Sequence, residues 1–152
     1  MNRRRYITYL LSTFFLLSPL SGFSAGDMTA QKPIEVVINL GDKNNKLNFY
    51  PAKLQFETGR LYKLVIRNPS PQKHYFTAGK MSRAVFTRKV QIIDKTGHTL
   101  AEVKGHVDEI EIYPNSIAEW WFVPVKSLTT SNFHCSIKGH TESGMTGSIV
   151  IK

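Results

Sequence analysis

The chain has 152 residues, 41% of them hydrophobic and 20% charged, which suits one domain and leaves too few residues for two sizeable cores or a repeat array. Its 20 Lys and Arg against 11 Asp and Glu give a formal charge of +9, a balance that makes nucleic acid or an anionic membrane the first partners to consider. A lone cysteine, Cys135, excludes an internal disulfide.

Arg3, Arg4 and Arg5 precede the apolar run from Tyr6 to Leu20, and the small residues Ser21, Gly22, Ser24, Ala25 and Gly26 follow it. Basic, apolar and small-residue regions in that order predict a cleaved export signal over residues 1–25, then a flexible segment over 26–33 and one domain over 34–152. The apolar run falls short of the ~20 residues that span a bilayer, so no membrane anchor is expected once the signal is removed. A lipid anchor needs a cysteine at the cleavage point, and Cys135 is far downstream. Arg3 to Ile7 loosely resembles a twin-arginine signal, but the strongly apolar run favours general secretion and a periplasmic or otherwise exported protein. Without the three arginines, 17 basic and 11 acidic residues remain, a formal charge of about +6. These basic residues are scattered through strand-like segments with no block interleaved with aromatics, so nucleic acid is not expected as a partner.

From Ile34 onward apolar residues recur at a spacing of two, as in Ile34, Val36, Ile38 and Leu40, and again in Tyr62, Leu64 and Ile66. Turn formers separate the runs at Gly41 to Asn45, Thr58-Gly59, Asn68 to Pro71, Lys95 to Gly97 and Pro114 to Ser116. Further strands are expected over Lys89 to Asp94, Val107 to Tyr113, Ile117 to Val123, Ser131 to Cys135 and Thr146 to Ile151. Only Ala78 to Phe86 reads as a short helix. About seven or eight short strands, with no long amphipathic helix to cover a parallel sheet, predict an all-β sandwich. Trp120, Trp121 and Phe122 must alternate between faces, and Trp121 or its neighbours are expected to fill the core.

The segment from Phe133 to Gly147 carries the chemistry. It places a thiol, an imidazole and a thioether in the order Cys135-x4-His140-x4-Met145 on a glycine-punctuated loop between two strands. Those donors match a copper site built from two imidazoles and a thiolate with a weak axial methionine. The missing imidazole is supplied by His74, which follows the turn at Asn68 to Pro71. Gly139, Gly144 and Gly147 are expected to permit a tight loop and a close backbone approach.

Together with the pattern Phe49-x-Pro51-x-x-Leu54-x-Phe56-x-x-Gly59-x-x-Tyr62-x-Leu64-x-Ile66-x-Asn68 ahead of His74, this loop resembles the cupredoxin family of blue copper proteins over nearly all of residues 34–152. The ligand-loop spacing is similar to that of rusticyanin-like and sulfocyanin-like members. The resemblance implies a Greek-key β-sandwich and one mononuclear copper ion, with His74, Cys135 and His140 as strong ligands and Met145 as the weak axial one. It also implies single-electron transfer between redox partners, with the exposed edge of His140 as the electron's port. Many cupredoxins have Asn directly after the first histidine, where it ties the two ligand-bearing segments together; this chain has Tyr75, which leaves that tie open.

Each donor taken alone has a plain structural explanation: a buried cysteine or methionine as packing, an isolated histidine as a solvated side chain. His134 is sent to the opposite face from Cys135 by strand alternation, His98 and His106 fall in turns, and Met81 is assigned to packing. No phosphate loop, His-Glu-x-x-His helix or paired-carboxylate pattern is present. A two-copper centre needs a second cysteine, so a non-enzymatic monomer is expected. The positive mature charge fits brief docking to partners with acidic patches. The competing readings are a copper-trafficking or resistance protein and an accessory domain that copper stabilises.

Overall fold

The computed structural model describes residues 27–152; the expected export signal lies outside them. Among the described residues, eleven short strands form two sheets and no helix is long and apolar enough to cross a membrane. The first sheet runs β2 (Phe49–Tyr50), β1 (Ile34–Leu40), β4 (Tyr62–Arg67), β9 (Ile117–Pro124), β6 (Val85–Ile93), β7 (Thr99–Val103). The second runs β3 (Lys53–Phe56), β11 (Thr146–Ile151), β10 (Leu128–His134), β5 (His74–Thr77), β8 (Glu109–Ile112). β1 pairs parallel to β4 and β3 parallel to β11, while the other pairings are antiparallel.

Alternation builds the core. Leu54 and Phe56, Phe76, Ile110 and Ile112, Trp120 and Phe122, and Ile149 and Ile151 are buried at every second position of their strands. Aromatic rings lock one sheet onto the other. Phe49 of the first sheet meets Phe133 of the second edge-on at 4.9 Å, and Phe56 of the second meets Phe122 of the first at 5.1 Å. Trp120 reaches Phe76 at 6.5 Å. Such pairs add about 0.5–1.5 kcal/mol each beyond the area they bury. Gly147 is required by packing: a Cβ there would lie 2.2 Å from Cζ of Phe133 and 2.6 Å from the carbonyl oxygen of Ala52.

The strand count and some element bounds differ in detail from the expectation. Eleven strands replace about seven or eight, because β2 and β3 are separated only by Pro51 and Ala52 and because β7 is exposed at all five positions, so it shows no alternation. The helix is confined to α1 (Gly79–Ser82); Val85 and Phe86 already belong to β6, which pairs them with Pro124 and Val123. As expected, neighbours of Trp121 fill the core: Trp120 and Phe122 face inward, while Trp121 itself points outward beneath Lys89 and Lys63, whose ammonium groups stand 5.0 and 5.6 Å from its ring. Ahead of β1, Met28–Ala30 forms a 3-10 turn, and the side-chain amide of Gln31 donates to the carbonyl of Gly59 at 2.8 Å.

The two tryptophans provide a direct check. Trp120→Ala should cost about 3–5 kcal/mol of unfolding free energy, and Trp121→Ala about 1 kcal/mol, as measured by chemical denaturation of the metal-free protein. Equal losses would contradict the face assignment.

Candidate metal centre

β5 and β10 run antiparallel with His134 opposite Thr77, which brings the start of β5 and the end of β10 to one end of the second sheet. His74 opens β5 and shares the inward face with Phe76; Cys135 follows β10 and shares the inward face with Phe133. The loop 136–145 closes over them. Its backbone is tied by its own hydrogen bonds: Cys135 N–H to Met145 O at 3.1 Å, Met145 N–H to His140 O at 2.9 Å and His140 N–H to Ile137 O at 3.0 Å. The Thr141 hydroxyl donates to the carbonyl of Cys135 at 2.9 Å. Gly139 and Gly144, both with positive φ, make the bends.

The result is one cluster of donors. Atoms of His74, Cys135 and His140 lie within 4.8 Å of one another, and it is the one such group of three among the described residues. Cys135 Sγ is 3.8 Å from His74 Nδ1 and 3.4 Å from His140 Nδ1. Metal bonds of about 2.3 Å to sulfur and 2.0 Å to nitrogen, opened by roughly 110–120°, separate the two donors by roughly 3.5–3.7 Å, so an ion fits between them with small adjustment. Met145 is fully buried in the same core cluster and is bound through its backbone to both Cys135 and His140. His74, Cys135 and Met145 are 0% exposed, whereas His140 retains 8%.

The surroundings set the orientation of each donor. The single hydroxyl proton of Ser70 goes to Asn45 Oδ1 at 3.3 Å, so its oxygen accepts from Gln72 N–H at 3.2 Å and from His74 Nε2 at 3.0 Å. With the Ser70 proton on Asn45, the Nε2–H tautomer of His74 satisfies this contact and leaves the Nδ1 lone pair facing the sulfur. Ser70 is held in turn by the buried Asn68, whose side chain accepts from Ser70 N–H and donates to the carbonyls of Gln72 and Ile112 at 2.8 and 2.7 Å. Gly41 packs against this pair: a Cβ there would lie 3.1 Å from Ser70 Cβ and 3.2 Å from His74 Nε2. The open tie at Tyr75 is made by its backbone, whose N–H donates to Cys135 Sγ at 3.3 Å; its ring turns outward beneath Lys73.

Burial, with the neighbouring His140 adding to it, pushes the pKa of His74 down to about 4. The imidazole is thus neutral and ready to donate its lone pair at neutral pH.

The structure brings His74, Cys135, His140 and Met145 into one region. It leaves His98 exposed beside Asp94 and Thr96, and His106 between Ser82 and Asp108. Met81 is core. Ser70, Asn68 and Gly41 escape a reading based on donor types, although Asn-x-Ser within a Pro-flanked turn is an Asx-turn pattern that marks a fixed loop.

No protein-family model and no curated protein matches the sequence. Solved structures do match. A multicopper oxidase from Campylobacter jejuni aligns over 81% of this chain and 31% of its own, with a TM-score of 0.59 and 18% identity. A copper-containing nitrite reductase from Thermus scotoductus aligns over 80% of this chain and 32% of its own, with a TM-score of 0.60 and 10% identity. Auracyanin A, a "blue" copper protein from Chloroflexus aurantiacus, aligns over 80% of this chain and 100% of its own, with a TM-score of 0.51 and 18% identity. The chain thus spans about a third of the oxidase and the reductase and the full length of auracyanin A. It has the cupredoxin fold, and its donor group fits one type 1 copper ion.

The depressed pKa of His74 has a sign that can be checked. Protons bind the unfolded chain more readily than the folded one between about pH 6.5 and 4, so stability of the metal-free protein should fall as pH drops through that window and be insensitive to this group above it. Replacing His74 by Phe should remove that part of the slope in urea melts recorded from pH 7 to 4; an unchanged slope would contradict a neutral, buried His74.

Proposed function

We propose that the chain is an exported electron carrier that holds one copper ion between His74, Cys135, His140 and Met145 and exchanges single electrons with redox partners. The observation that supports this best is the meeting of a thiol and two imidazoles, at 3.4 and 3.8 Å, in a pocket that solvent reaches only at the edge of His140. A bound copper ion supplies the Cu(II)/Cu(I) couple. The protein does the rest: Cys135 and the histidines give strong bonds, and Met145 gives a weak soft one. The Tyr75 N–H stabilises charge on the sulfur and so tunes the potential. Because the loop is bound to itself and Ser70 fixes His74, the donors need not rearrange when the electron moves.

Burial also favours carriage over copper delivery. A protein that hands its metal to an acceptor has to expose its donors, whereas here three of the four are inaccessible. The edge of His140, beside Lys138 and within a chain of positive formal charge, serves as the port for brief, salt-sensitive encounters with acidic surfaces. The basic and apolar N-terminal residues support secretion to the periplasm or beyond.

The mature chain loaded with Cu(II) should show an intense visible charge-transfer band that Cys135→Ala abolishes; a colourless complex would overturn the site. It should then exchange electrons rapidly with a small redox reagent while a Cu(I) chelator removes no metal. Loss of copper to the chelator within the same time would favour trafficking instead.

Ser70→Ala should weaken copper affinity by about 10–100-fold while keeping the band, and Met145→Leu should shift the midpoint potential with the copper retained. Unchanged affinity in the first, or complete loss of copper in the second, would contradict the roles given to these residues.

A further inference from the structure

β5 meets its two neighbours unequally. Its ladder with β10 consists of the one pair Thr77 and His134, and beyond that pair the Tyr75 N–H goes to Cys135 Sγ at 3.3 Å instead of to a backbone carbonyl. β8, on the other side, pairs with all four residues from His74 to Thr77, and its Ile112 carbonyl also accepts from the Asn68 side chain at 2.7 Å. The placement of Tyr75 against the sulfur thus depends on β8, a four-residue strand at the edge of the second sheet. Two polar contacts on the outer face join these strands. The Thr77 hydroxyl donates to Glu109 at 2.5 Å, and the Lys73 ammonium lies 2.7 Å from Oε1 of Glu111, the direct cross-strand neighbour of Tyr75. That oxygen is shielded from solvent, where a carboxylate needs a partner. The same ammonium stands 5.9 Å from the Tyr75 ring and 6.0 Å from the Tyr113 ring.

We propose that Glu111 is a positioning residue for the metal centre: through Lys73 it holds the start of β5 against β8 and so keeps the Tyr75 N–H on Cys135 Sγ. Neither Glu111 nor Lys73 is a donor to the metal; both act through the backbone of the residue that follows His74. The contact matters because an N–H aimed at the sulfur stabilises negative charge there, and a weaker one makes the thiolate a stronger donor that favours Cu(II). This link across two strands takes over the tie for which Tyr75 has no side-chain amide. Its effect on the potential rests on the electron-carrier reading, whereas the clamp itself does not.

The test uses the metal-free mature protein labelled with ¹⁵N and reads amide hydrogen exchange at Tyr75. Glu111→Ala should speed it about two- to fivefold with the amides of β1 and β4 unmoved, and the charge-swapped double variant Lys73→Glu/Glu111→Lys should restore it. Glu102→Ala, which removes the partner of Lys89 in the other sheet, should leave Tyr75 unchanged. No change in Glu111→Ala, an equal effect of Glu102→Ala, a swap that restores nothing, or uniform acceleration along the chain would overturn the proposal. In the copper-loaded protein, the charge-neutral double variant Lys73→Ala/Glu111→Ala should keep the visible band and show a lower midpoint potential; an unchanged potential would contradict the positioning role. A mature chain that takes up no copper would sink the electron-carrier reading and leave the exchange result standing.

Discussion

The metal centre rests on one antiparallel meeting, that of β5 with β10 at the pair Thr77 and His134. Because side chains alternate along a strand, fixing that pair fixes which residues look inward: His74 and Phe76 from one strand, Phe133 and Cys135 from the other. The same register therefore sends two aromatic rings into the core and two donors to its end. Phe76 and Phe133 touch at 5.2 Å, so the hydrophobic packing that holds the sheets together also sets the separation of the imidazole and the thiol. A one-residue slip of either strand would turn its ring and its donor together to the wrong face, and this is why site and core are one construction.

Polar groups then finish what packing begins. Cys135 receives a backbone N–H from the segment that carries His74, and His74 is oriented by a hydroxyl whose proton is committed elsewhere. Each buried polar atom of Asn68 finds a partner, and the turn that carries Ser70 is held to the start of β5 and to the end of β8. The neutral state of His74 follows from the same burial that excludes water. Preorganisation here has a plain physical meaning: the groups around the donors are bonded to one another before any metal arrives.

Legibility in the sequence tracked how local each feature was. The Cys135-x4-His140-x4-Met145 spacing lies on one loop and could be read directly from donor chemistry. His74 is 61 residues from Cys135, and only the demand for a second imidazole and the family resemblance brought it in. The period-two runs of β1, β4, β9 and β11 announced strands because one face is buried, whereas β7 is exposed throughout and has no pattern to show. Trp120 and Trp121 are indistinguishable by type; pairing with β4 and β6 decides which of them faces the core. Ser70, Asn68 and Gly41 look like ordinary turn residues until the fold places them against the His74 ring, and Lys73 meets Glu111 only because β5 pairs with β8, which no local pattern reveals.

The most direct measurement is anomalous diffraction at the copper edge from crystals grown with one equivalent of copper. The account predicts a single strong peak within bonding distance of Cys135 Sγ and of Nδ1 of both His74 and His140, with Met145 Sδ as a more distant neighbour. A peak at His98 or His106, or one bound through the Nε2 of His74 with Ser70 displaced, would contradict it.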